Sequence, residues 1–135
     1  MSLTLLEKVT LWISGLTAVG LGGFIMVAPR AFYASYGITL GDDPSLLSEL
    51  RAPAAGLLTL GALMLAGIWR STMAQFAVAA TLIVFLAFPA GRLIGLAVDG
   101  IPSGGIIGAL ILEIAIACLC IFAFRRRVRS TVAIT

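Results

Sequence analysis

Histidine is absent from the 135 residues, charged residues make up only 11% of them, and there are two cysteines. Without histidine the chain cannot build a His-ligated zinc site, an HExxH site, a histidine-ligated haem or a Ser-His-Asp triad. Two cysteines are too few for a disulfide framework. Intrinsic disorder is excluded as well, since it needs low hydrophobicity and high net charge, whereas here 61% of residues are hydrophobic. A soluble domain carries roughly a quarter charged residues and about half apolar ones. A mean hydropathy of +1.15 is that of a chain dissolved in lipid.

What is present in their place is a set of long apolar runs. A bilayer core takes about 20 apolar residues to cross as a helix. Four stretches qualify: Val9 to Val27, Ala52 to Trp69, Met73 to Val98 and Gly105 to Phe124. They are apolar around most of their circumference, which suits spans rather than surface helices, and they lack the period-two alternation of barrel strands. The first span follows its charges late and has Pro29 after Ala28 where cleavage would be wanted, so it reads as a retained helix rather than a signal peptide. The expected fold is all-α: one integral membrane domain over residues 1–135, an antiparallel four-helix bundle with neither repeat nor linker.

Four spans bring both termini to one side, with Glu7, Lys8, Arg70, Arg125, Arg126, Arg127 and Arg129. The positive-inside rule places that side in the cytoplasm of a bacterial inner membrane. The arginine tail reads as a topology anchor touching anionic lipid rather than a nucleic-acid site, because no aromatic or polar module accompanies it. Between spans one and two, Pro29 suits a first helical position and Gly37 a C-terminal cap. Phe32, Tyr33 and Tyr36 then share one short interfacial helix. Asp43-Pro44 reads as the cap and first residue of a helix running into span two. Gly91 and Gly95, and Gly104 and Gly108, form GxxxG pairs that predict close approach of spans three and four. Ser14, Ala18 and Gly22 form a similar ladder on span one.

Ionisable groups in spans are costly, so they face the bundle interior or water and usually pair. Arg92 and Asp99 lie seven residues apart on one face of span three, and Glu113 lies near the middle of span four. Glu49 and Arg51 stand at the mouth of span two, and Arg30 closes span one. These groups predict one outward-opening polar cavity, with nothing comparable in the cytoplasmic half. Pro53 and Pro89 free the carbonyls of Glu49 and Phe85, which Arg51 or Arg92 would satisfy, and their kinks would widen the pocket. Arg30, Arg51 and Arg92 also balance Glu49, Asp99 and Glu113 one for one, as in a buried ion-pair network that fixes helix register without a ligand. A carboxylate at the depth of Glu113 is either paired with an arginine, which suits structure or binding, or protonated, which suits proton coupling.

The remaining candidates are weaker. Cys118 and Cys120, two apart on a helix, point in different directions and pack. Trp12 and Trp69 belong to an aromatic belt at span ends, Met26, Met64 and Met73 fill gaps, and Ser103-Gly104-Gly105 forms a turn.

The segment Phe32-Tyr33-Ala34-Ser35-Tyr36-Gly37-Ile38 is followed by Ser48-Glu49-Leu50-Arg51-Ala52-Pro53-Ala54-Ala55-Gly56, and Pro89-Ala90-Gly91-Arg92 stands in span three. On these motifs the chain resembles a family of small four-helix bacterial membrane proteins of unknown function, distantly similar to DoxX-like membrane proteins. The likeness implies a four-helix inner-membrane protein, and brings no activity, cofactor or catalytic residue. DoxX-like relatives, being associated with membrane redox complexes, add the expectation of an accessory subunit.

The reading that follows is a non-catalytic membrane protein, with no cofactor and no metal. It binds a small amphipathic or anionic ligand, a partner membrane subunit or a second copy. Arg51 and Arg92 would hold an acidic group, oriented by Glu49, Asp99 and Glu113, with Tyr33 and Tyr36 at the mouth. The competing readings are a proton-coupled transporter using Glu113, and a lipid- or quinone-directed enzyme using Glu49 and Asp99 as acid and base.

Overall fold

A computed structural model describes residues 2–134, and every described element is helical. The order is α1 (Leu5–Val27), α2 (Pro29–Ala34), α3 (Pro44–Trp69), α4 (Ser71–Asp99) and α5 (Gly104–Val132). Four of these helices, all but α2, are long and apolar enough to cross a membrane by length and composition. The chain is therefore an all-α multi-pass membrane protein. The helices extend past the apolar stretches at α3 and α5, because hydropathy marks only the part that suits lipid while the flanking turns, Pro44 to Arg51 and Arg125 to Val132, are helical too.

Local chemistry sets the ends. Thr4 and Glu7 form a reciprocal capping box on α1, satisfying two of its orphan amides. Asp43 accepts from the Ser45 amide at 3.0 Å and Pro44 occupies the first turn of α3, as expected. Gly37 follows α2 with φ of +76°, and the Gly37 and Ile38 amides donate back to the Ala34 and Tyr33 carbonyls. That is a Schellman stop, which needs a left-handed residue and favours glycine there. Only Arg70 separates α3 from α4, so these two helices must lie antiparallel side by side.

The long helices pack in the cyclic order α1, α3, α4, α5, with α1 also approaching α4 across the bundle and α3 and α5 at opposite corners. Leu11, Met64, Cys120 and Phe124 are fully enclosed at the centre. Buried Thr10 and Thr81 return their hydroxyls to the carbonyls four residues earlier, so neither is left without a partner in an apolar core. Ser14 Oγ lies 3.7 Å from Cys120 Sγ, while Cys118 is exposed, so the two cysteines do point apart. Trp12 and Trp69 meet edge to face with centroids 5.0 Å apart.

The close helix approach falls at a different place from the one expected. Gly91, Gly104 and Gly108 have no atom within 4 Å of where a Cβ would stand, and Gly95 meets only its own neighbour Asp99. Spans three and four therefore do not close through their GxxxG pairs. Instead α1 and α3 are in near backbone contact. A Cβ on Gly22 would lie 2.7 Å from the Ala54 carbonyl oxygen, and one on Gly61 would lie 2.7 Å from the Val19 amide nitrogen. Ala18 and Gly22 of the span-one ladder thus form half of the interface and Ala54 and Gly61 of α3 the other half, while Ser14 turns to Cys120 on α5. Small residues bring helices together only where both faces are small. Outside this interface, the α2 end of α4 and α5 stays open.

Candidate functional site

The open end holds a cavity of about 270 Å³. Its floor comes from α1, α3 and α4 through Ala18, Leu57 and Val84, and α2 covers it with Phe32, Tyr33 and Tyr36. Pro29 starts α2 and Gly37 ends it, so the three aromatic residues occupy barely more than one turn. Phe32 is buried, stands edge-on to Tyr33, Tyr36 and Phe24 at centroid distances of 5.1–5.4 Å, and anchors the lid. Ser103, in the turn before α5, donates to the Tyr36 carbonyl at 2.6 Å. Gly105 leaves room for the Tyr36 ring, which would be 3.0 Å from a Cβ there.

One polar wall faces these rings. Arg92 on α4 donates through Nε to both carboxylate oxygens of Glu113 on α5, at 3.1 and 2.9 Å. The Glu113 side chain is 8% exposed and that of Arg92 29%. Glu113 is thus the paired carboxylate of the two alternatives open to it. Because Nε takes the whole carboxylate, the two terminal amino groups of Arg92 have no hydrogen-bond partner among the described residues. Burial pushes the Tyr33 phenol up from its ordinary pKa, with the Arg92 charge pulling the other way. The site therefore offers hydrogen-bond donors above an aromatic chamber.

The structure brings together only some of the groups expected to converge. Tyr33, Tyr36, Arg92 and Glu113 line the cavity, and Asp99 is exposed in an adjoining groove between α4 and α5 that shares Arg92 as its wall. Glu49 is exposed and lies away from the cavity, and Arg51 opens on a separate depression with Met26, Leu47 and Ser48. Arg51 Nε donates to the Met26 carbonyl at 3.1 Å. That carbonyl belongs to the last turn of α1, where helix carbonyls lose their intrahelical partners, so the nearest free arginine is drawn there. Neither arginine serves a carbonyl freed by Pro53 or Pro89, and both helices continue through their prolines. Arg30 pairs at 2.7 Å with Asp42, on the solvent side. The one-for-one network thus reduces to a single pair within the bundle at this end.

The opposite end carries a second pair where none was expected. Arg127 on α5 grips Glu7 on α1, Nε to Oε1 at 3.0 Å and Nη2 to Oε2 at 3.1 Å, and Nη2 also reaches the Ser2 carbonyl at 3.3 Å. The side chains are 16% and 6% exposed. The sequence held one clue: Glu7 is the only carboxylate beside six cationic residues, and its Thr-x-x-Glu capping box fixes where it points.

An all-helical, multi-pass membrane protein with one ion pair set against an aromatic cavity is the class that fold and site define. Within that class, the chain belongs to the family described as Domain of unknown function (DUF4345), whose model matches residues 6–124. No curated protein and no solved structure matches it, and nothing found connects it to DoxX-like proteins.

Proposed function

We propose that this protein is a non-catalytic binding protein of the bacterial inner membrane, and that the cavity under α2 takes the oxygen-bearing head of a small amphipathic molecule. The observation that carries the reading is Arg92 itself, anchored by Nε to Glu113 and lining the wall of an aromatic chamber. A fork anchored in this way meets a carboxylate or carbonyl oxygen without first having to be ordered. Tyr33 adds a neutral donor, and the rings accept the apolar part. The arginines at the end that holds both termini support a cytoplasmic orientation for that end, with the cavity opening on the far side. A partner subunit of a larger membrane complex is the accessory form of the same reading.

The Arg92–Glu113 pair favours binding over proton coupling, since a proton carrier calls for a carboxylate free to exchange its proton. Native mass spectrometry of protein extracted in mild detergent tests the proposal. Wild type should carry a small-molecule adduct. Ile38→Trp, which narrows the mouth without touching the ion pair, and Arg92→Leu/Glu113→Leu, which removes both charges together, should lose it. Glu49→Gln should keep it. A wild type without adduct, or an adduct that both cavity variants retain, overturns the proposal and leaves the pair as a fixer of helix register.

A further inference from the structure

The end that carries Glu7 and Arg127 has chemistry that the cavity under α2 does not use. Six cationic residues, Lys8, Arg70, Arg125, Arg126, Arg127 and Arg129, stand there with a single carboxylate, Glu7. Arg127 consumes that carboxylate completely, through Nε and Nη2. A cleft of about 420 Å³ opens over the pair, between the start of α1 and the last turns of α5. Arg125 and Arg126 border it and have no carboxylate partner among the described residues. Arg125 lies over the Phe122 ring with its guanidinium carbon 4.4 Å from the centroid, a cation–π contact that holds the charge at the border of the cleft. Leu6, Phe122 and Ala123 give the same cleft an apolar side.

We infer that this cleft is a binding site for the phosphate of an anionic phospholipid. The neutralised Glu7–Arg127 pair is its floor, Arg125 and Arg126 are its two phosphate ligands, and Leu6 and Phe122 lie along the first part of the acyl chains. Three features select a lipid. The cleft sits at the ends of membrane-length helices, at the level where headgroups lie. Its two cations are uncompensated, so the occupant carries negative charge. Its apolar side continues into the lipid-facing surface, where Phe122 is 54% exposed. Basic pockets at span ends hold anionic headgroups for these reasons. The site is at the opposite end of the bundle from the cavity under α2, and stands or falls independently of it.

The test uses the full-length protein in neutral detergent, titrated with short-chain phosphatidylglycerol, short-chain phosphatidylcholine and inorganic phosphate, and read by native mass spectrometry. Phosphatidylglycerol should bind one-to-one and be preferred over phosphatidylcholine by on the order of 30-fold, the contribution of two arginines at a membrane surface. Arg125→Gln/Arg126→Gln should abolish the preference. Lys8→Gln/Arg129→Gln removes the same charge away from the cleft and should keep most of it. Equal binding of the two lipids overturns the inference. So does an equal loss in both double variants, which would mean a diffuse field rather than a site, and so does displacement of the lipid by millimolar inorganic phosphate, which would mean a site for the free ion.

Discussion

Replacing Gly22 with alanine adds one methyl group, and the structure fixes where that methyl must go. It would stand 2.7 Å from the Ala54 carbonyl oxygen and the Leu58 amide nitrogen, and 3.0 Å from the Leu58 Cα. Ordinary carbon contact is about 3.5–4.0 Å, and all three neighbours are backbone, which cannot swing aside. The only relief is for α1 and α3 to separate by roughly 0.5–1 Å, a gap that forfeits a quarter to a half of each dispersion contact along the seam. Overpacking of this kind costs about 1–3 kcal/mol. Alanine recovers up to about 1 kcal/mol of helix propensity, leaving a net loss of about 1 kcal/mol and at most about 2 kcal/mol. Gly61→Ala should behave alike, because its Cβ would meet the Val19 amide at 2.7 Å and the Ala18 methyl at 2.9 Å. Gly91→Ala and Gly108→Ala meet nothing within 4 Å, so they should gain about 0.5–1 kcal/mol from propensity alone. Reversible unfolding in mixed micelles, followed by helical circular dichroism, measures all four. The reasoning fails if the two pairs shift stability in the same direction. It also fails if Gly108→Ala is the most damaging, which would mean that α5 meets another helix there.

Glu113→Gln leaves Arg92 without its counter-charge in a nearly enclosed site. The loss should be about 3 kcal/mol, the lower end of the range for a buried pair because Arg92 is partly exposed, whereas Arg92→Leu/Glu113→Leu should come close to wild type. The same unfolding assay with a double-mutant cycle checks this, and additive single effects would contradict it. At the other end, Arg127→Gln should cost about 3–5 kcal/mol and raise amide exchange in the first turn of α1, which loses its anchored capping box. Exchange unchanged there would show that the cap holds Glu7 unaided. Arg51→Leu should increase exchange at the end of α1, at a cost of about 1–2 kcal/mol, and leave the cavity occupant unchanged. Tyr33 is one of two tyrosines, so Tyr36→Phe isolates its phenolate absorbance. The midpoint should lie above the usual value of about 10 in the folded protein and return to it on unfolding. Burial favours the neutral phenol, so this stabilisation is intact below about pH 10 and is lost as pH rises through the folded-state midpoint. A midpoint unmoved by unfolding would contradict desolvation of the half-buried ring.

The four spans were legible because crossing lipid imposes a length and a composition on consecutive residues, and both survive in a single sequence. Gly37 and Asp43-Pro44 were legible for a related reason: a Schellman stop and an N-cap are made by neighbours in the chain. What was hidden depends on a partner far along the chain. Gly91 and Gly95 carry the same spacing signal whether or not a helix faces them. Gly22 and Gly61 carry a weaker signal and are the positions where the backbones meet. The Glu7–Arg127 contact spans 120 residues, and although the capping box marks Glu7, nothing local says which of six cations it meets.

The arginines sharpen the point. Arg51 and Arg92 are equivalent as sequence: each is a cation within or at the mouth of a span, close to a proline and a glycine. Their fates differ because the α1 terminus presents an unsatisfied carbonyl beside Arg51, and α5 presents an enclosed carboxylate beside Arg92. A guanidinium goes to the acceptor that would be costliest to leave unmet. Charge counting along the chain therefore identifies which groups must find partners, while packing decides which of them face a common space. Here only Arg92 is both anchored and left with donors at the cavity wall, so a ligand contact at this end rests on one arginine rather than two. That makes Arg92, and not the more conspicuous Glu-Leu-Arg stretch at Arg51, the residue whose replacement separates a binding protein from a bare scaffold.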